Sequence, residues 1–94
     1  MKTVKYKEWD CTVSVARYVS GNPAIRLMDA EDGQPVMTAT VNLPGLAMDE
    51  IALDTNNGGQ EIIKTIKDAE LIKEDPIRSI KSGYCDYPVF KLKT

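Results

Sequence analysis

The chain of 94 residues contains no histidine. Without an imidazole, the Ser–His and Cys–His pairs that usually activate a nucleophile are excluded. Cysteine is scarce as well: Cys11 and Cys85 stand far apart, and two distant thiols with no His make no zinc ligand set. One bridge between them is open to neighbouring strands, but a reducing compartment would keep both thiols free. No apolar run approaches the ~20 residues that span a bilayer. The opening Met1-Lys2-Thr3-Val4-Lys5 lacks the apolar stretch and small-residue cleavage site of a secretory signal. The expectation is a cytoplasmic protein without membrane contact.

What is present is an ordinary globular composition, 43% hydrophobic and 28% charged. A chain of this length supports one hydrophobic core, so a single domain over residues 1–94 is expected. The net charge of −2 is unevenly laid out. Residues 1–28 carry five basic and two acidic side chains, and residues 76–94 carry four and one. Residues 29–75 carry eleven acidic and three basic, a net −8. An acidic middle lies between two mildly basic ends.

Val4 and Tyr6, flanked by lysines, read as a short half-exposed strand. Residues 10–19 alternate more clearly, with Cys11, Val13 and Val15 on one face. Ser20-Gly21-Asn22-Pro23 is a reversal, and 24–28 returns with Ile25 and Leu27 on one side. Asp32-Gly33 marks a second hairpin turn before a strand at Val36–Leu43, so three antiparallel strands form a meander. A short apolar piece, Ile51-Ala52-Leu53, precedes Asp54-Thr55-Asn56-Asn57, whose side chains can cap a helix. Ile62, Ile63, Ile66 and Ala69 recur at three- and four-residue spacing, which predicts one amphipathic helix over about 60–72, stopped before Pro76. Two final strands at 77–81 and 84–92 surround Ser82-Gly83, with Pro88 placing the last at an edge or bulge. The expected fold is α+β, a twisted antiparallel sheet of about five to six strands with one helix on a face. The alternative is a small, partly open barrel with one helix.

Candidate chemistry is sparse. Ser79 or Ser82 with Lys81 reads as solvated polar residues near a turn. The stretch Asp29–Gly33 has its glycine one position too early for a calcium loop, and Thr40 stands where the bidentate Glu belongs. The pairs Glu31/Asp32, Asp49/Glu50 and Glu74/Asp75 lie in expected loops, where nothing raises a carboxyl pKa for acid–base work. Gly58-Gly59 before the helix lacks a phosphate-binding pattern and is flanked by Asp54 and Glu61. Trp9, Tyr6, Tyr18, Tyr84 and Tyr87 could stack on single-stranded nucleic acid, but such platforms come with basic grooves. These aromatics are expected in the core and its rim. The expectation is a protein that is not an enzyme, needs no cofactor or metal, and does not bind nucleic acid directly.

Tyr18-x-x-Gly21-x-x-Ala24-Ile25-x-Leu27-x-Asp29, followed by Asp32-Gly33-x-Pro35 and Thr40-Val41-Asn42-Leu43-Pro44, resembles a family of short uncharacterised proteins. These are domain-of-unknown-function proteins encoded by bacteria, phages and plasmids. The family commonly continues with Glu-Asn-x-Gly opening a helix and a later Gly before a terminal strand. Asn57, Gly59 and Gly83 match, while Asn56 stands at the Glu position. The resemblance implies a phage or mobile-element accessory protein and no particular chemistry.

The functional expectation is a small binder of another protein with a basic surface. By analogy it falls among inhibitors of host defence, such as anti-CRISPR or anti-restriction proteins. The candidate partner-binding residues are Asp29, Glu31 and Asp32 at one loop and Asp49, Glu50 and Asp54 after the following strand. Reversal of Asp49 and Glu50 to Lys is expected to slow association and spare the fold. The alternatives are a carboxylate- or metal-dependent small enzyme and a homo-oligomeric structural module.

Overall fold

The computed structural model describes residues 3–72 and 75–93. β1 (Thr3–Tyr6) and β2 (Trp9–Arg17) are joined by a two-residue turn in which Lys7 adopts φ +53°. β3 (Pro23–Asp29) and β4 (Pro35–Thr38) follow as further antiparallel strands. They complete a four-stranded sheet in the order β1-β2-β3-β4. The remaining strands are β5 (Thr40–Val41), β6 (Glu50–Leu53), β7 (Arg78–Ser82) and β8 (Cys85–Lys91). They make a second antiparallel sheet, ordered β5-β6-β8-β7. Two helices, α1 (Thr55–Gly58) and α2 (Glu61–Asp68), lie between β6 and β7 in sequence.

The architecture is α+β and mostly antiparallel, and the meander β2-β3-β4 lies where the alternation places it. The element count differs: among the described residues eight strands in two sheets and two short helices replace five to six strands in one sheet and one helix, and the sheets do not close into a barrel. The split into two sheets arises at Ala39. The expected strand Val36–Leu43 breaks there into β4 and β5, because the Ala39 N–H donates to Ile25 O at 2.8 Å in the first sheet. Its carbonyl accepts from the Asp54 N–H at 2.8 Å beside the second. One residue therefore belongs to both ladders, and unsatisfied backbone is avoided at a fully buried position.

The main core joins both sheets to α2. Val4 and Tyr6 from β1, Ile25 and Leu27 from β3, and Ile51 and Leu53 from β6 meet Phe90 from β8 and Ile62 and Ile66 from α2. Val4 and Tyr6 are thus buried rather than half-exposed, since α2 covers β1: Thr65 Oγ1 donates to Lys5 O at 3.0 Å. Leu43, Ala52 and Val89 form a smaller cluster. All four residues of β6 are buried, which accounts for the apolar run Ile51-Ala52-Leu53 after Glu50.

The helix is shorter than periodicity suggested. Its end is a Schellman arrangement, with Glu70 N–H bonded to Lys67 O and Leu71 N–H to Ile66 O and Glu70 at φ +63°. A glycine usually marks that left-handed position, and here none announces it. Ile72 is buried beyond the helix, while Glu74, part of the expected stop, lies outside the described residues. β8 is also not an edge strand, for β6 and β7 flank it. Pro88 is tolerated because the β6 pairing ends at Ala52–Val89 and only Ser79 of β7 lies opposite Pro88.

Ile66 is fully buried and Lys64 faces solvent. Ile66→Ala should cost about 2–5 kcal/mol of unfolding free energy in denaturant titration. Lys64→Ala removes only an exposed pair with Asp68 and should cost under ~1 kcal/mol. Equal midpoints for Ile66→Ala and wild type would show that the apolar helix face is not the one packed on the sheets.

Candidate functional site: an open cleft at the end of the first sheet

Opposed residues of an antiparallel pair share a face, so the register shows which side chains continue the core outward. Val13 opposes Leu27 and Cys11 opposes Asp29, while Tyr6 opposes Trp9. Extending the core-facing alternation Val13, Cys11 by one step gives Trp9, and extending Ile25, Leu27 gives Asp29. Among the described residues, none of the second sheet or of α2 lines the face at this end. A cleft of about 400 Å³ opens there.

Trp9 forms one wall, 46% exposed, and stacks on the buried Tyr6 ring at 6.5 Å between centroids and 15° between planes. Pro35, Val36 and Met37 of β4 supply an apolar wall, and Asp29, Gln34 and Asn57 add polar atoms. Lys7 reaches the cleft from the β1–β2 turn, its Nζ 5.4 Å from the Tyr6 ring centre. The base is set by α1. Asp54 caps it, accepting from Asn57 N at 3.1 Å and Asn57 Nδ2 at 2.9 Å. Tyr6 Oη donates to Gly58 O at 3.0 Å. A Cβ on Gly58 would approach Met37 Cε to 3.2 Å and Ile62 Cβ to 3.1 Å, so the glycine lets α1 sit tightly under the cleft.

The six acidic candidates fall into different roles. Asp29, Glu31 and Asp32 share the β3–β4 turn beside the cleft. There Asp29 Oδ1 accepts from Glu31 N at 2.8 Å and Asp32 Oδ1 from Gln34 N at 2.9 Å. Gly33 supplies the φ of +74° that the turn requires. Among the described residues no Lys or Arg pairs with these three carboxylates.

Asp49 and Glu50 lie beyond the other end of the run β4–β5, at the start of β6, so the structure does not place them with the turn. Glu50 is 9% exposed and chelates Arg78: Oε2 accepts from Nη1 at 2.8 Å and Oε1 from Nη2 at 2.7 Å. Glu50 Oε1 also accepts from Ala47 N at 2.8 Å. The Arg78 hydrogen bonds, with the Ala47 N–H second, lower the Glu50 pKa to about 2 against the opposing effect of burial. Asp49 lies 3.6 Å from Lys91 Nζ. Asp54 is the α1 cap. Reversal of Asp49 and Glu50 is therefore expected to destabilise the fold, because a lysine at the buried position 50 would lose both Arg78 hydrogen bonds and set two cations against each other.

The sequence reading missed Trp9, Met37 and Asn57 as site residues, assigning the aromatics to core and rim. The alternation carried the signal, since it places a Trp and an Asp one step past the last core residue on adjacent strands. Both thiols are free, and burial, followed by the charges of Asp29 and Asp10, pushes the Cys11 pKa up. Cys11 is thus a poor nucleophile. Among the described residues no three Cys, Asp or Glu side chains converge on a metal-sized site, and no helix is long and apolar enough to cross a membrane.

The fold and cleft define a small two-sheet α+β domain whose core face opens at one end onto a groove that holds Tyr6, Trp9, Asp29 and Lys7. Residues 12–94 match the family model described as Domain of unknown function (DUF4313), and the chain belongs to that family. No curated protein and no solved structure matches the chain. Of the residues that carried the family resemblance, Tyr18 and Thr40 tie the corner between the sheets. Tyr18 Oη lies 2.9 Å from Thr40 Oγ1, which in turn accepts from Ile25 N at 3.2 Å. Gly21, at φ +96°, and Gly33 form turns.

The Glu50–Arg78 pair sets a pH dependence. A carboxyl whose pKa falls from 4.5 to about 2 on folding stabilises the fold fully above the ordinary value, and loses that contribution as pH falls through about 2. Glu50→Gln should therefore melt well below wild type at pH 7, and the two melting temperatures should converge towards pH 2. A constant difference from pH 7 to pH 2 would assign the loss to packing instead of charge.

Proposed function

We propose that this chain is a small non-enzymatic binding protein that engages a basic surface of another protein through the turn carrying Asp29, Glu31 and Asp32. The observation that carries the reading is the contrast among its carboxylates. Glu50, Asp49 and Asp54 are spent on an arginine, a lysine and a helix cap. The Asp29 and Asp32 carboxylates each accept a backbone N–H, and none of the three turn carboxylates has a cation partner among the described residues. Unneutralised charge on a hydrogen-bonded turn beside an exposed tryptophan favours encounter with positive surfaces. The same negative charge disfavours direct contact with nucleic acid.

The resemblance in the sequence supports a bacterial, phage or plasmid origin, and the opening residues without an apolar signal stretch support a cytoplasmic setting. An inhibitor of a host defence system, of anti-CRISPR or anti-restriction type, fits because nucleic-acid-handling enzymes present basic grooves that such a turn could occupy. That part rests on analogy of charge.

Affinity capture from a bacterial host followed by mass spectrometry identifies the partner. The variant Glu31→Lys with Asp32→Asn then tests the surface, since asparagine keeps the acceptor for Gln34 N–H. Association should slow by about tenfold or more at low salt and lose much of its salt dependence, with the melting temperature unchanged. Identical association rates for variant and wild type would remove the turn as the binding surface.

A further inference from the structure

We infer that the cleft beside this turn is a pocket for an arginine side chain of the partner, with Trp9 as its stacking face and Asp29 as its anion. The inference rests on the binding reading above and names the chemistry of one contact. Three features converge on a guanidinium. Trp9 is 46% exposed and lines the cleft from a position on the core-facing side of β2, its ring stacked on Tyr6. A planar cation stacks on an indole face more favourably than an ammonium does.

Asp29 lines the same cleft. Its Oδ1 already accepts one backbone N–H, which fixes the carboxylate, and Oδ2 together with the second lone pair of Oδ1 remains for a two-pronged donor. Pro35, Val36 and Met37 line the opposite wall and offer apolar contact to the three methylenes of an arginine stem. Glu31 and Asp32 at the rim add attraction without contact.

Lys7 bears on the choice of occupant. Its ammonium is drawn to the Tyr6 ring, so the aromatic pair already attracts a cation from within the chain. Because Lys7 opposes a second positive charge, its removal should tighten arginine binding, whereas an anionic or neutral planar ligand would bind more weakly or unchanged. Lys7→Gln thus separates ligand classes by the sign of the effect.

The probe is the blocked peptide acetyl-Gly-Arg-Gly-amide, titrated into the full chain while the fluorescence of Trp9, the single tryptophan, is followed. A saturating change with a dissociation constant on the order of 1 mM or tighter is expected. The citrulline peptide, equal in shape and uncharged, should bind at least about tenfold more weakly, and the lysine peptide should fall between them. Asp29→Asn keeps the cap on Glu31 N–H and should weaken arginine binding about tenfold, while Lys7→Gln should strengthen it. In ¹⁵N–¹H spectra the shifts should concentrate at residues 29–37 and the Trp9 indole.

Equal binding of arginine and citrulline peptides, shifts centred on Asp49 and Lys91, or no saturable change would each overturn the pocket. If the pocket fails while Glu31→Lys with Asp32→Asn still slows the captured partner, the acidic-turn reading stands alone. If the arginine peptide binds as expected and the captured partner ignores that variant, the pocket stands and the turn reading falls.

Discussion

The structure depends on one buried residue that serves two sheets. Ala39 gives its N–H to Ile25 and receives the N–H of Asp54 on its carbonyl, so the chain leaves the first ladder and enters the second without a loop. A side chain larger than a methyl would have to fit where exposure is zero, between layers that are both packed. The neighbouring Thr40 reinforces the corner by accepting from Ile25 N and meeting Tyr18 Oη. Ser20 Oγ and Asn22 Nδ2 tie the β2–β3 turn onward to Asn42 Oδ1 and Ala47 O. Asp54 then stands one bond from the corner and caps α1. The position of α1 under the cleft is thereby inherited from the backbone pairing at Ala39.

Much of this was legible and some was not, for identifiable reasons. The alternation in β2 and β3, the Asp32-Gly33 turn and the apolar face of α2 are short-range patterns, and each lies where the sequence puts it. The break at Ala39 leaves no trace, since alanine between two threonines is an acceptable strand residue and the break is imposed by partners more than ten residues away in Ile25 and Asp54. The end of α2 escapes because a glutamate occupies the left-handed position. Pro88 misleads for a related reason: it forbids a donor at one position, not a neighbour along the whole strand.

The candidate site illustrates a further limit. Asp29 and Glu50 belong to one residue class in one acidic segment, yet one faces an open cleft and the other is clamped by Arg78. Net charge over a window cannot separate them, because a carboxylate's availability depends on which cation reaches it across the fold. Arg78 lies 28 residues from Glu50 in sequence, and only the β6-β8-β7 order makes them neighbours across a strand.

The placement of Trp9 follows from the same geometry read in reverse. A core-facing position at the end of a strand is normally filled by a residue that the next layer covers, and an exposed indole there loses part of the burial that would stabilise it. Among the described residues that line the cleft, α1 contributes Asn57 and α2 contributes none, so Trp9 keeps an exposed flank. Burying an ionised carboxylate there without a cation would cost on the order of several kcal/mol, so Asp29 suits an end of the face that stays open. An acid at position 29 and an open end to the sheet are thus mutually consistent. Trp9 lines the same open end and shares its exposure to solvent.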